Sequence, residues 1–420
     1  MIMKALTKIS IGFLALVAVA LWFTSCSSED VASGTNQGKM SSLTLTINTG
    51  KSMGSRATDW TTDPAGADKT NTENKINRVA IGIFSNTGNV KTIVELTSAT
   101  TGTNSLTQTA NNATAKIVTS SLVASDQVLV AINAPTGTFT GCQNKTAFMG
   151  KTETAAEALA NSADDAQVAN NIPMFGSATL SGAGSSFNAS VSVIHMIAKV
   201  SLTSLKVDFK AGSAYADAQF TPKAVFLINV PNSLQFDNDN AWTSAGYEHG
   251  WGTFATDFTY DATTANSSAA STFTGSTFAK YLTTPALIGK TLKGVAGGSD
   301  DTYDKQVYFY TMPNGQVDDD KATKLVIAGQ FKAKTSGVDK VVYYPLFLNA
   351  KVNSTGTGYD PAVSGGSVAK KVYPNKNYNC KVVIRNIGAD SPNTNLDPKT
   401  ATISISVTDF VTADQTTEFN

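Results

Sequence analysis

Histidine occurs only at positions 195 and 249, so acid–base chemistry that needs imidazole has few candidates. His195 lies inside the apolar run 191–198, which reads as a packed strand position rather than a catalytic one. The stretch Gly50-Lys51-Ser52-Met53-Gly54 matches the G-x-S-x-G pattern of a nucleophile elbow, but in a polar segment without the strand, turn and helix that expose such a serine. Gly289-Lys290-Thr291 has the ending of a phosphate loop, yet Thr284 stands where that loop requires its first glycine. Asp318-Asp319-Asp320 and Asp237-Asn238-Asp239-Asn240 offer oxygen ligands without the glycine and distal glutamate of a calcium loop, and read as solvated turns. Trp242, Tyr247, Trp251 and Phe254 cluster around glycines in a long connection. They suit either a stacking platform for sugars or a cap on the end of a β-sandwich. No catalytic residue, metal site or cofactor is expected, and the chain does not read as an enzyme.

The elements that carry these residues are strands. Over 420 residues the chain is 41% apolar, 9% aromatic and 15% charged, enough to build sizeable cores and too apolar for disorder. Its polarity resides in Thr, Ser, Asn and Gly, the residues of many short strands and turns. Positive and negative side chains balance at 32 each, so there is no basic stripe to neutralise phosphates, and nucleic acid is excluded as a partner.

Residues 1–25 have a charged start with Lys4 and Lys8, then an apolar run over 9–23, then Thr24-Ser25 before Cys26. That run is shorter than the roughly 20 residues of a spanning helix, so the segment reads as a signal peptide. Cysteine directly after small residues resembles a lipobox in which Cys26 receives lipid, although Phe23 stands where Leu is usual. Ordinary cleavage with an incidental Cys26 is the competing reading. The following Ser27-Ser28-Glu29-Asp30 looks like the acidic signal of surface lipoproteins. Export permits a disulfide between Cys142 and Cys380, but two buried thiols fit the sequence equally well.

After a polar leash over 31–40, Leu43-Thr44-Leu45-Thr46-Ile47 alternates strictly, placing Leu43, Leu45 and Ile47 on one face of a strand. Gly50, Ser52, Gly54 and Ser55 then lead to Arg56-Ala57. Arginine occurs elsewhere only at 78 and 385, so an arginine in this pliable stretch is a distinctive protease target, or else a solvated surface side chain. Strands are expected over 79–84, 90–96, 117–122, 128–132 and 191–209, with a short helix over 153–163. Further strands are expected over 224–230, 306–310, 324–331, 341–348, 379–387 and 402–410. With no fixed repeat, the pattern predicts an all-β protein of two sandwiches in line, divided near residue 200.

Several segments taken in order resemble a known family. They are Cys26, the strand ending at Arg56, Asn171-Ile172-Pro173-Met174-Phe175-Gly176 and His195-Met196-Ile197-Ala198-Lys199-Val200. Val307-Tyr308-Phe309-Tyr310 with Pro313-Asn314, Tyr343-Tyr344-Pro345-Leu346, Asn375-Lys376-Asn377-Tyr378 and the closing 403–410 complete the set. Together they resemble the FimA-like fimbrillins of the Bacteroidetes, the type V pilins, over nearly the whole chain. Phe410 is a departure where family stalk subunits often have Trp.

The resemblance implies two transthyretin-like β-sandwich domains, over 57–200 and 201–420, behind a lipidated propeptide over 26–56. It implies an outer-membrane lipoprotein precursor, an arginine-specific surface protease cutting between Arg56 and Ala57, and loss of the first strand. A C-terminal segment of another copy then fills the groove, giving a homopolymer with accessory fimbrial subunits on the cell surface and a role in adhesion. The alternation of Ile403, Ile405 and Val407 matches that of Leu43, Leu45 and Ile47, so one groove can accept either. Phe410, Val411, Ala413 and Phe419 belong to the same candidate donor, and how the residues on either side of 410 divide the task stays open. The alternatives are a tip or anchor subunit, or a monomeric surface lipoprotein that binds glycans through Trp242, Tyr247 and Trp251.

Overall fold

The computed structural model describes residues 40–52, 72–108, 112–161, 166–167, 169–237, 244, 246–251, 265–269, 272–274, 279–284, 290–294, 302–303, 307–334, 337, 340–356, 358–364, 367–397, 401–409 and 411–412. The alternating run after the leash forms β1, Met40–Asn48, with Leu43, Leu45 and Ile47 fully buried. Around it in chain order come β2 Arg78–Phe84, β3 Val90–Thr97, β4 Ser105–Gln108, β5 Asn112–Ser120 and β6 Gln127–Ile132. The helices α1 Lys145–Met149 and α2 Ala155–Leu159 follow, then β7 Met174–Thr179, β8 Ser181–Ala183, β9 Ser186–Ser192 and β10 Ile194–His195. One sheet runs β8-β9-β1-β5-β4 and the other β10-β7-β6-β2-β3. Leu43, Leu45, Ile47, Ile117 and Val191 of the first sheet meet Val79, Ile81, Ile83, Val130 and Ile132 of the second in one buried apolar core.

The second half contributes β11 Ala198–Val207, β12 Gln219–Ile228, β13 Val307–Thr311, β14 Lys324–Lys332, β15 Lys340–Phe347, β16 Lys376–Ile384 and β17 Ala401–Asp409. One sheet is β13-β11-β16-β17, with β17 at its edge, and the facing sheet is β12-β14-β15. The long strands of this half fall on the short apolar runs expected there, and the all-β sandwich architecture stands. Ser105–Gln108, Met174–Thr179 and Tyr247–Trp251, however, are strands where none was expected, and the run over 191–200 is divided among β9, β10 and β11. Between the halves, the outer face of the β6–β2 pair (Ala80, Phe84, Leu129, Ala131) joins a core that continues into the second sandwich. Phe139 links them by stacking on Phe148 at 4.0 Å and meeting Phe236 edge-on at 5.3 Å.

Two local expectations are corrected. The alanine-rich stretch over 153–163 is no single helix: Thr152–Thr154 pairs as a strand with Ser233–Gln235, and α2 begins only behind a capping box of Thr154 and Glu157. The pull of a strand partner outweighs helix propensity at Glu153. The strand expected over 117–122 begins at Asn112 and ends at Ser120, because Ser121 turns the chain with φ 66°.

The ordered motifs have structural work here. In Asn171–Gly176, Asn171 accepts from Asn77 at 2.9 Å, and the Ile172 carbonyl accepts from Asn133 at 2.9 Å. Gly176 must lack a side chain, since a Cβ there would lie 2.5 Å from the Ser192 carbonyl oxygen. Asn314 donates to Thr323 at 2.9 Å, and Asn375, at φ 55°, donates its backbone N–H to Ile197.

Candidate functional site

The first strand lies in the middle of its sheet. It pairs antiparallel with β5 from Met40↔Ser120 to Asn48↔Asn112, and parallel with β9 from Ser42↔Ser186 to Asn48↔Ser192. Ser42 donates to the Ser185 carbonyl at 2.8 Å and Asn48 accepts from Val193 at 3.0 Å, so the pairing with β9 is held at both ends. A strand paired on both sides and buried on one face is costly to lose. Its removal strands backbone groups on β5 and β9 and uncovers the pockets of three aliphatic side chains.

Beyond β1, Lys51–Ser52 pairs antiparallel with Val411–Thr412. This pairing brings the end of the first-strand segment against the C-terminal stretch. Arg56, Ala57 and Cys26 lie outside the described residues, as do Phe410, Ala413 and Phe419.

The other candidate donor residues are inside the chain's own second sandwich. Ile403 pairs with Val382, Ile405 with Cys380 and Val407 with Tyr378, with Ile403 and Ile405 buried in the core and Val407 half-buried against it. A groove of about 500 Å³ follows this edge strand, lined by Lys351, Val352, Asn379 and Lys381 together with residues 403–406 of β17. The structure therefore does not bring Leu43, Leu45 and Ile47 next to Ile403, Ile405 and Val407; each set completes a different sandwich.

Sequence reasoning missed an ionic cluster that holds the chain just after the Arg56 segment. A 3-10 turn, Thr72–Asn74, buries Glu73 between the sandwiches. There its Oε1 accepts from Lys199 Nζ at 2.9 Å and from the Tyr310 hydroxyl at 2.5 Å. His195 Nε2 lies 2.9 Å from the Glu73 carbonyl oxygen, and Lys199 also sits 4.3 Å from the Tyr308 ring centre. Burial alone would raise the Glu73 carboxyl, but Lys199 and the Tyr310 hydroxyl hold it below the ordinary value. Burial pushes His195 down to about 4, so the imidazole is neutral and structural. Asn74 Nδ2 reaches the Gly50 carbonyl at 3.4 Å, tying this turn to the end of the first-strand segment. The visible signal was Lys199 itself, a lysine in the middle of an apolar strand run.

The remaining sequence candidates are structural where they are described. Asp319 bonds Lys370 and Asn395, and among the described residues no group of three or more His, Cys, Asp or Glu side chains could hold an ion. Tyr247 is buried, which takes it out of an exposed sugar platform. Trp242, Phe254 and the side chain of Trp251 lie outside the described residues. Cys142 and Cys380 are both buried free thiols. Among the described residues no helix is long and apolar enough to cross a membrane.

The arrangement defines an all-β protein of two sandwiches whose first strand is central and whose last long strand is peripheral. No family model matches the chain, and no curated relative matches it. Solved structures do. A candidate cell adhesion protein of Bacteroides eggerthii DSM 20697 superposes with TM-score 0.56 at 17% identity, covering 90% of this chain and 98% of that one. Another from Parabacteroides distasonis ATCC 8503 gives 0.55 at 15%, covering 88% and 99%. A fimbrilin of Porphyromonas gingivalis W83 gives 0.52 at 14%, covering 89% and 99%. The fold is thus fimbrillin-like over nearly the whole chain.

Proposed function

We propose that the protein is a structural subunit of cell-surface fimbriae, a stalk pilin that polymerises by strand exchange and supports adhesion. It is exported as a lipoprotein on Cys26, cut between Arg56 and Ala57, and relieved of residues 26–56. The observation that carries this reading is the position of β1: paired on both sides, buried through Leu43, Leu45 and Ile47, and followed by a segment with an arginine. Cutting there frees a strand whose loss opens a groove along β5 and β9. The Glu73 cluster keeps residue 73 onward on the body.

The donor in this reading is the C-terminal segment. In this reading the transferred part is the stretch from Phe410 through Val411, Ala413 and Phe419, and the pairing of Ile403, Ile405 and Val407 within their own sandwich supports that division. A segment of one copy filling the groove of the next is a heterologous contact that does not close, so a filament follows. The tandem fold shared with a fimbrilin supports the same reading.

The test is to treat purified precursor with an arginine-specific protease and look for a denaturant-resistant ladder on a gel. The ladder is expected from the native sequence and absent from Arg56→Ala and from a chain truncated after Asp409. Release of residues 26–56 without any ladder would reject strand-exchange polymerisation.

A further inference from the structure

Lys324 opens β14 and is only 1% exposed, held between Ile228 of β12 and Phe347 of β15 in the sheet register. A buried ammonium ordinarily demands a carboxylate. Here the Nζ donates instead to the side-chain carbonyl of Asn395 at 2.8 Å and to the backbone carbonyl of Asn393 at 3.4 Å, with the Phe347 ring centre 4.8 Å away. Asn395 is gripped from its other end, since its Nδ2 donates to Asp319 Oδ2 at 2.8 Å. The second oxygen of Asp319 is occupied by Lys370, whose Nζ lies 4.4 Å from the same Phe347 ring. Amine, carboxamide and carboxylate are thus linked in order, with the Lys324 and Lys370 amines beside one aromatic ring.

This is the set of groups that amide exchange requires. Burial lowers the Lys324 amine to about 8, against the opposing pull of Asp319, so the unprotonated nucleophile is populated near neutral pH. The sheet and the Asp319 contact hold the amine against the carboxamide as an intramolecular reactant. Asn395 lies at the surface, so a small leaving group escapes to water.

We infer that Lys324 and Asn395 form a covalent isopeptide cross-link assisted by Asp319. The lone pair of Lys324 Nζ adds to Asn395 Cγ, and the Cγ–Nδ2 bond breaks. One proton from the amine passes through the Asp319 carboxylate to Nδ2, which departs as ammonia. An amine and a primary amide become a secondary amide and ammonia, with no oxidant or reductant. The exchange removes an ammonium from a site that solvates it poorly. It also ties the connection between β16 and β17 to the facing sheet, so that a pull on the last strand stops at residue 395. The chemistry does not depend on the fimbrial reading.

Intact mass and a tryptic map of the full chain test it. The expected chain is lighter by one ammonia, with the peptide carrying Lys324 joined to that carrying Asn395 and no cleavage after Lys324. The full mass returns in Lys324→Met and in the surface variant Asn395→Ala, and Asp319→Ala slows or abolishes the loss. An unmodified mass with normal cleavage at Lys324, persisting after prolonged incubation at pH 9, overturns the inference. So does conversion of Asn395 to aspartate without a link, which would mean that water reaches Cγ and Lys324 does not.

Discussion

Glu73 and Lys199 are 126 residues apart in sequence and 2.9 Å apart in the fold, both almost wholly out of water. One belongs to the turn that follows the Arg56 segment and the other to the first long strand of the second sandwich. Their contact joins the turn at Thr72–Asn74 to the junction of the two halves.

Removing one partner leaves the other charge buried. Glu73→Ala is expected to lower unfolding free energy by about 3–5 kcal/mol in urea titrations, while Glu73→Leu with Lys199→Met recovers most of it. A double variant no better than the single would show that the pair is not coupled.

Acid should unfold the protein through this cluster. Glu73 and His195 both have folded values below their ordinary ones, so the unfolded chain binds more protons and stability falls as pH drops. For His195 the loss runs from its ordinary 6.5 down to about 4. His195→Gln should flatten the denaturant midpoint across that window; an unchanged slope would assign acid sensitivity elsewhere.

Glu153 acts in the opposite sense. It is 1% exposed at the strand pair joining the halves, with no hydrogen-bond partner for either oxygen among the described residues. Burial, aided by Glu157 and opposed by Arg78, raises it from 4.5 to about 8. The folded state then holds the proton that the unfolded state releases, so stability declines as pH rises between those values, by up to about 1.4 kcal/mol per pH unit. Glu153→Gln should abolish that decline, and parallel curves for the two proteins would refute the assignment.

The groove left by β1 should accept a free copy of β1. A synthetic peptide of residues 40–48, added in excess during arginine-specific cleavage, is expected to suppress the ladder, and the same peptide with Ser at 43, 45 and 47 is not. Equal suppression by both would mean that backbone pairing alone, without the aliphatic side chains, selects the strand.

Cys142 and Cys380 are buried free thiols, and burial raises both above the ordinary value. Thiol reagents should label them only in denaturant, and reduction should leave gel mobility unchanged. Rapid labelling of the native protein would contradict the packing around Phe139 and Tyr378.

Much of this architecture was legible along the chain. The strict alternation at Leu43, Leu45 and Ile47 fixed a strand with one apolar face, and the runs at 79–84 and 324–331 differ by a residue at an end from β2 and β14. These features are local: side-chain period and turn residues act within a few positions, and the chain writes them directly. Other features were decided only when the whole chain packed. Two stretches of equal pattern, 43–47 and 403–407, went to different sandwiches, one between β5 and β9 and the other to an edge beside β16. Alternation says which face is apolar and is silent about which neighbour covers it. The same limit hid Glu73, whose partners Lys199 and Tyr310 lie more than a hundred residues away. A buried charge is tolerable only where distant groups converge on it, and that convergence belongs to the tertiary structure.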